Sequence, residues 1–200
     1  IDEVKGSMVV DIGGGTSEVA IMSMGGVVNS RSLRVAGDEL DEDIIRYVRN
    51  KYNLLIGQRM AEEAKINIGS AYPLSEEKTM SVRGRNLISG LPDAIEISSI
   101  ELRDGIAESV QTIIDTIRDT LDETPPEIMS DLMDTGICLA GGGSLLQGLD
   151  RRLTDELQIR AWLAEDPISC VARGAGIALE EMEKWKGLFV GLERQSSRQE

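Results

Sequence analysis

The 200 residues hold 35 acidic against 21 basic side chains and no histidine, for a net charge of −14, which argues against a surface for nucleic-acid phosphates and excludes the usual histidine-containing zinc sets. Hydrophobic residues at 41% with aromatics at only 3% describe an aliphatic core of one large domain or two small ones. Neither Cys138 nor Cys170 stands in a CxxC spacing, so both read as buried free thiols of a reducing compartment, and no apolar run is long enough to cross a bilayer.

In chain order, Met8 to Ile12, Glu18 to Ser23 and Val27 to Val35 read as three strands of an antiparallel meander, the first two joined by "GGG" and the next pair by "MGG". Leu40, Ile44, Ile45, Val48 and Tyr52 then recur at helical spacing, with Asp38, Glu39, Asp41 and Glu42 enriching the first turn. A second helix spans Gln58 to Gly69. Two short strands follow, Lys78 to Arg85 and Ala94 to Ser99. Ile106, Val110, Ile113, Ile114, Ile117 and Leu121 predict a long helix from Ile100 to Glu123, ended by "TPPE". "TGICLAGGGSLLQGLDRRL" predicts a buried strand, a glycine turn, Ser144 as N-cap, and a helix with Leu145, Leu146, Leu149 and Leu153 on one face. "QIRAWLAEDP" predicts a strand, and Pro167 opens a last long helix through "ISCVARGAGIALEEMEKW". The polar tail after Gly191 frays. The fold class is α/β, with a core over 1–48 and 100–185, a small α+β lobe inserted over 49–99, and a C-terminal tail over 186–200.

Two loops are candidates for chemistry. In "DIGGGT", Asp11 ends a strand where a carboxylate can hold the water shell of Mg²⁺, and the N–H groups of Gly13, Gly14 and Gly15 with the Thr16 hydroxyl can wrap phosphates. The same residues also read as a bulged hairpin turn beside a solvated strand-end carboxylate. In "AGGGS", Gly141, Gly142, Gly143 and Ser144 lie between a strand and a helix N-terminus, a setting for a polar ligand or simply a tight connection. Two strand-adjacent triple glycines exceed what turn-making needs and point to a nucleotide held between them. Glu62 and Lys65 share a helical face, as ligands for ribose and base or as an exposed ion pair. Gly174, Ala175 and Gly176 read as a close helix crossing at a hinge or as local packing. A P-loop, a Rossmann fingerprint and a Ser/His triad are all absent from the sequence.

Strand-"DIGGGT"-strand, "AGDELDEDI", "AEEAK", "LAGGGSLL" and "GAG", in that order, resemble the second half of the actin, sugar-kinase and heat-shock-chaperone ATPase superfamily. Within it, "SMVVDIGGGTSEVAIMSMGGVV", "RVAGDELDEDIIRYVRNKYNLLIG", "IGSAYPL" and "AEDPISCVARGAG" resemble the bacterial actin homologues of the MreB family. The resemblance implies an actin-like (ribonuclease H-like) fold with a mixed sheet flanked by helices. It implies ATP and Mg²⁺ as cofactors, with Asp11 near Mg²⁺ through water, Gly13 to Thr16 on phosphate, and Thr16 orienting the attacking water. Glu62, Lys65 and Gly141 to Ser144 would hold adenosine, and Gly174 to Gly176 would form a hinge helix. It implies self-association into filaments, partners among inner-membrane cell-wall synthesis and shape proteins, and a place at the cytoplasmic face of that membrane. A chaperone-like or small-molecule-kinase ATPase and a non-catalytic scaffold are the alternatives. The family's first half, with another phosphate loop, a catalytic carboxylate and the membrane-contacting segment, is expected to precede Ile1, so this chain alone is expected to bind ATP poorly and not to turn it over.

Overall fold

In the computed structural model, which describes residues 5–182, three antiparallel strands open the chain: β1 (Ser7–Ile12), β2 (Ser17–Ser23) and β3 (Gly26–Leu33). Their period-two pattern fixes which face is dry. Met8, Val10 and Ile12 are almost fully buried, as are Val19 and Ile21 opposite them, while Val9 and Ala20 stay half-buried. The fully apolar β7 (Ile137–Ala140) pairs in parallel with β1, Val10 against Leu139 and Asp11 against Ala140, and β8 (Ala161–Leu163) extends that side. The order β3-β2-β1-β7-β8 is the mixed sheet that the resemblance implied.

Helices α1 (Gly37–Tyr52) and α3 (Ser99–Asp122) pack on each other, and α3 lies on β2 and β3. Helix α3 starts where it does because of a capping box. Ser98 Oγ accepts from the Glu101 N–H, and the Glu101 carboxylate accepts from the Ser98 N–H at 2.9 Å. Its expected stripe is dry from Ile106 to Leu121, with Leu102 buried as well, each large aliphatic stabilising the fold by about 1.5–3 kcal/mol on burial. A second, antiparallel sheet consists of β4 (Leu54–Leu55), β5 (Thr79–Asn86) and β6 (Pro92–Ser98), with α2 (Gln58–Ile68) against β5. The expected lobe boundary at 48/49 falls inside α1, which runs on until Asn53 ends it in a left-handed conformation.

Several expectations are corrected or extended. "TPPE" does end α3, but Pro126 also starts a further helix, α4 (Pro126–Thr135), since proline suits a first helical turn as well as it breaks a later one. The helix after "AGGGS", α5 (Leu149–Leu157), begins five residues beyond Ser144. Gly142–Leu145 form a 3₁₀ turn, and Gly148 at φ +74° interrupts any continuous helix. Leu146, Leu149 and Leu153 are buried there as expected, whereas Leu145 is exposed. Pro167 does not open the last helix. Its carbonyl accepts the Gly141 N–H at 2.7 Å, and α6 (Cys170–Glu180) starts after Ser169. Both cysteines are free and half-buried rather than buried. The C-terminal tail from 186 lies outside the described residues.

Candidate functional site

Parallel pairing of β1 with β7 brings together loops separated by well over a hundred residues, because parallel neighbours end on the same side of a sheet. The first loop closes as a hairpin, its Gly13 N–H donating to the Thr16 carbonyl at 2.9 Å. The second abuts it directly. A Cβ on Gly141, which holds φ +80°, would lie 2.3 Å from Asp11 Oδ1 and 2.3 Å from the Ile12 carbonyl oxygen, and one on Gly143 would lie 2.4 Å from Ile12 Cγ2. Gly142 faces open space. Two of the three glycines thus serve the contact between loops, and the middle one leaves backbone bare toward a ligand.

Between the loops and α2 lies a cavity of about 500 Å³, within the range of small-molecule sites. Gly13 and Gly14 line it on one side, Glu62 and Lys65 on another, and Gly142 and Gly143 on a third. Asp11, Gly15 and Thr16 stand outside this lining, with Gly15 and Thr16 exposed. Gly141 and Ser144 are buried beneath it, and the Ser144 hydroxyl donates to the Gly141 carbonyl at 2.6 Å, holding the turn rather than facing the cavity. Ile66, Leu145 and Ile168 supply an exposed apolar flank suited to a flat ring. Gln147 ties this side to the small lobe, its carbonyl accepting the Ala71 N–H at 2.8 Å.

Spacing located the start of α1 at Asp38, within one residue, but not its place in the site. The Gly37 N–H donates to the Gly13 carbonyl at 3.0 Å and the Asp38 N–H to the Gly14 carbonyl at 2.8 Å, so α1 presses its N-terminus against the first loop. Asp38 sets its carboxylate beside Gly14 and, with Gly37 and Asp41, joins the cavity lining. A glycine directly before an acidic first turn, "AGDELD", was the available signal. The expected Glu62–Lys65 ion pair is replaced by another: Lys65 Nζ lies 2.9 Å from Asp41 Oδ1 and donates to the Gly37 carbonyl at 2.7 Å. Burial pushes the Asp41 carboxyl above its ordinary pKa, an effect that Lys65 only partly offsets. Burial likewise raises Asp11.

No group of three or more His, Cys, Asp or Glu suited to a metal occurs among the described residues. Mg²⁺ is commonly held through one or two carboxylates, water and a ligand's own phosphates. Asp11, half-buried at a strand end, and Asp38, beside Gly14, are the carboxylates that fit such a role.

Gly174 and Gly176 sit exposed in α6, with nothing within 4 Å of where either Cβ would point. Neither a close helix crossing nor local packing occurs at them among the described residues.

The profile of a family described as MreB/Mbl protein matches residues 1–187. Cell shape-determining protein MreB of Escherichia coli K12 is 48% identical over 187 residues, covering 94% of this chain and 54% of the relative. Cell shape-determining protein Mbl of Bacillus subtilis 168 is 44% identical over 184 residues, covering 92% and 55%. The crystal structure of Spiroplasma citri MreB5 bound to AMPPNP superposes with a TM-score of 0.87 at 40% identity, over 90% of this chain and 54% of that one. A likeness of fold alone extends to the MamK double helical filament, with TM-score 0.71 and 22% identity over 88% of this chain and 54% of that one. The chain spans about half the length of the relatives it matches.

Proposed function

Because this chain belongs to the MreB/Mbl family and has its actin-like fold, we propose that it forms one half of an ATP site in a cytoskeletal protein that polymerises and maintains cell shape. The observation that carries this reading is the abutment of the two triple-glycine loops at the ends of β1 and β7, beside a cavity of about 500 Å³. The Spiroplasma citri relative is known with AMPPNP bound and with ADP bound, which supports a nucleotide as the occupant.

In this reading the Gly13 to Gly15 backbone and the Thr16 hydroxyl take the terminal phosphates, and Thr16 orients the attacking water. Glu62 and Lys65 stand at ribose and base. Gly141 to Ser144 form the adenosine turn, with Gly142 and Gly143 as its contact surface and Ser144 as its brace. Asp11 at the end of β1 and Asp38 beside Gly14 would hold Mg²⁺ through water, which would supply neutralisation of charge on the phosphates. Phosphoryl transfer depends on positioning and charge neutralisation more than on covalent chemistry, and this half supplies part of each. The preceding half of the longer protein supplies the other phosphate loop, the catalytic carboxylate and the membrane contact. Nucleotide state then biases closure of the two halves and so filament assembly at the inner face of the cytoplasmic membrane, where cell-wall synthesis and shape proteins are the partners. Gly174 to Gly176 act as the hinge helix.

Titration calorimetry with MgATP tests the site. The chain is expected to bind weakly but saturably, and Gly142→Val, which fills open space at the cavity, to abolish binding without unfolding. Binding unchanged by that substitution overturns the site, and tight binding by this chain overturns its being only half of one.

A further inference from the structure

Lys65 belongs to α2 and packs on the small-lobe side, yet both of its identified partners lie at the start of α1. An ammonium has three donors. One is directed at the Gly37 carbonyl, while Asp41, whose side chain is only 4% exposed, pairs with the ammonium through charge, its Oδ1 2.9 Å from Nζ. Gly37 is also the residue whose N–H holds the Gly13 carbonyl, and the next N–H, of Asp38, holds Gly14. A Cβ on Gly37 would lie 3.2 Å from the Gly13 carbonyl oxygen, 3.5 Å from Lys65 Nζ and 3.6 Å from Gly14 Cα, so three elements converge at one peptide.

We propose that Lys65 is a positioning residue for the phosphate loop: by clamping the Gly37 carbonyl it fixes the two N–H groups that hold Gly13 and Gly14, coupling α2 to the loop across the cavity. Asp41 keeps the ammonium in register and neutralises it. The Gly37 carbonyl does not use every donor of the ammonium, so a contact with the nucleotide and the clamp coexist. The consequence for phosphates rests on the nucleotide reading given above; the clamp does not.

Amide hydrogen exchange on the ligand-free chain separates the two. Lys65→Met is expected to speed exchange of the Gly37 and Asp38 amides about tenfold, the effect of losing roughly one charge-assisted hydrogen bond, with α3 amides changed less than about twofold. Because Lys65→Met also strands a buried carboxylate, the double variant Asp41→Asn/Lys65→Met is measured beside it. It restores stability but not the clamp, so exchange at Gly37 and Asp38 stays fast. Asp41→Asn alone, which keeps the Lys65 to Gly37 bond, exchanges near the wild-type rate, and Lys65→Arg falls between. Wild-type exchange in the double variant overturns the proposal. In the ligand arm, the double variant is expected to weaken adenosine, whose ribose and base Lys65 faces, and to weaken MgADP about tenfold more than adenosine. Equal weakening of both assigns Lys65 to the base and overturns the phosphate half of the proposal. Absence of binding to either by the wild type overturns the nucleotide reading and leaves the exchange result to decide the clamp.

Discussion

Gly141 and Ile12 approach so closely that a Cβ on the glycine would stand 2.3 Å from the isoleucine's carbonyl oxygen, at a backbone φ of +80° that side chains resist. Gly142, its neighbour, has nothing within 4 Å. Gly141→Ala is therefore expected to lose about 2–4 kcal/mol of stability, combining left-handed strain with overpacking. Gly142→Ala is expected to stay within about 0.5 kcal/mol of the parent, as for an exposed site without special geometry. Urea unfolding of both reads the contrast; equal losses would mean that the glycines serve flexibility alone.

Asp11 offers the opposite signature, a residue whose removal helps the fold and harms the site. Burial raises its folded pKa above the ordinary 3.8, so the ionised group costs stability at neutral pH and the cost disappears once acid protonates it in both states. Asp11→Asn is expected to gain stability at neutral pH, with the gain fading below the ordinary carboxylate range. The same variant is expected to bind MgATP at least about tenfold more weakly. A loss of stability at neutral pH would contradict the desolvation argument.

Glu101 runs the other way. Burial pushes its pKa up, but hydrogen bonds from Lys51, Tyr52 and Ser98 outweigh burial and bring it from 4.5 down to about 2. A depressed folded pKa stabilises above the unfolded value and is lost as pH falls from 4.5 toward 2. Glu101→Gln, which can still close the capping box, is expected to cost about 1–2 kcal/mol at neutral pH, reduced from the full shift because Lys51 is half exposed. Chemical denaturation across that window should show the two curves converge on the acid side; a gap independent of pH would leave the ionised carboxylate without a role.

The two glycine loops were legible because each is a break in a strong local pattern, and β1, β2 and α3 because their periods of two and three to four continue without interruption. The failures share a cause. Ser144 looks like an N-cap until Gly148, four residues on, proves to turn the chain, and Pro126 carries opposite meanings at the end of one helix and the start of another. Lys65 has an acceptor three residues away on its own helix, Glu62, and no local rule favours Asp41, twenty-four positions earlier. Only packing of α1 against α2 brings that carboxylate to the ammonium. Local order is written locally, whereas the choice among several acidic partners depends on which one is buried.

Gly174 and Gly176 test whether the chain's outer helix is built for a surface it does not itself contain. In an exposed helix each glycine costs about 0.5–1 kcal/mol relative to alanine, and among the described residues nothing within 4 Å of either position repays that cost. Val171, Ile177 and Leu179 on the same helix are also exposed, and α6 holds no buried residue among the described ones. Gly174→Ala/Gly176→Ala is expected to raise the helix signal in far-UV circular dichroism and the thermal stability of α6 in this chain. In a protein of the relatives' full length, if α6 is the hinge helix proposed above, the same pair of methyl groups is expected to slow nucleotide turnover and assembly. A double variant that gains helix here and loses nothing there would remove the reason for the glycines, and with it the hinge.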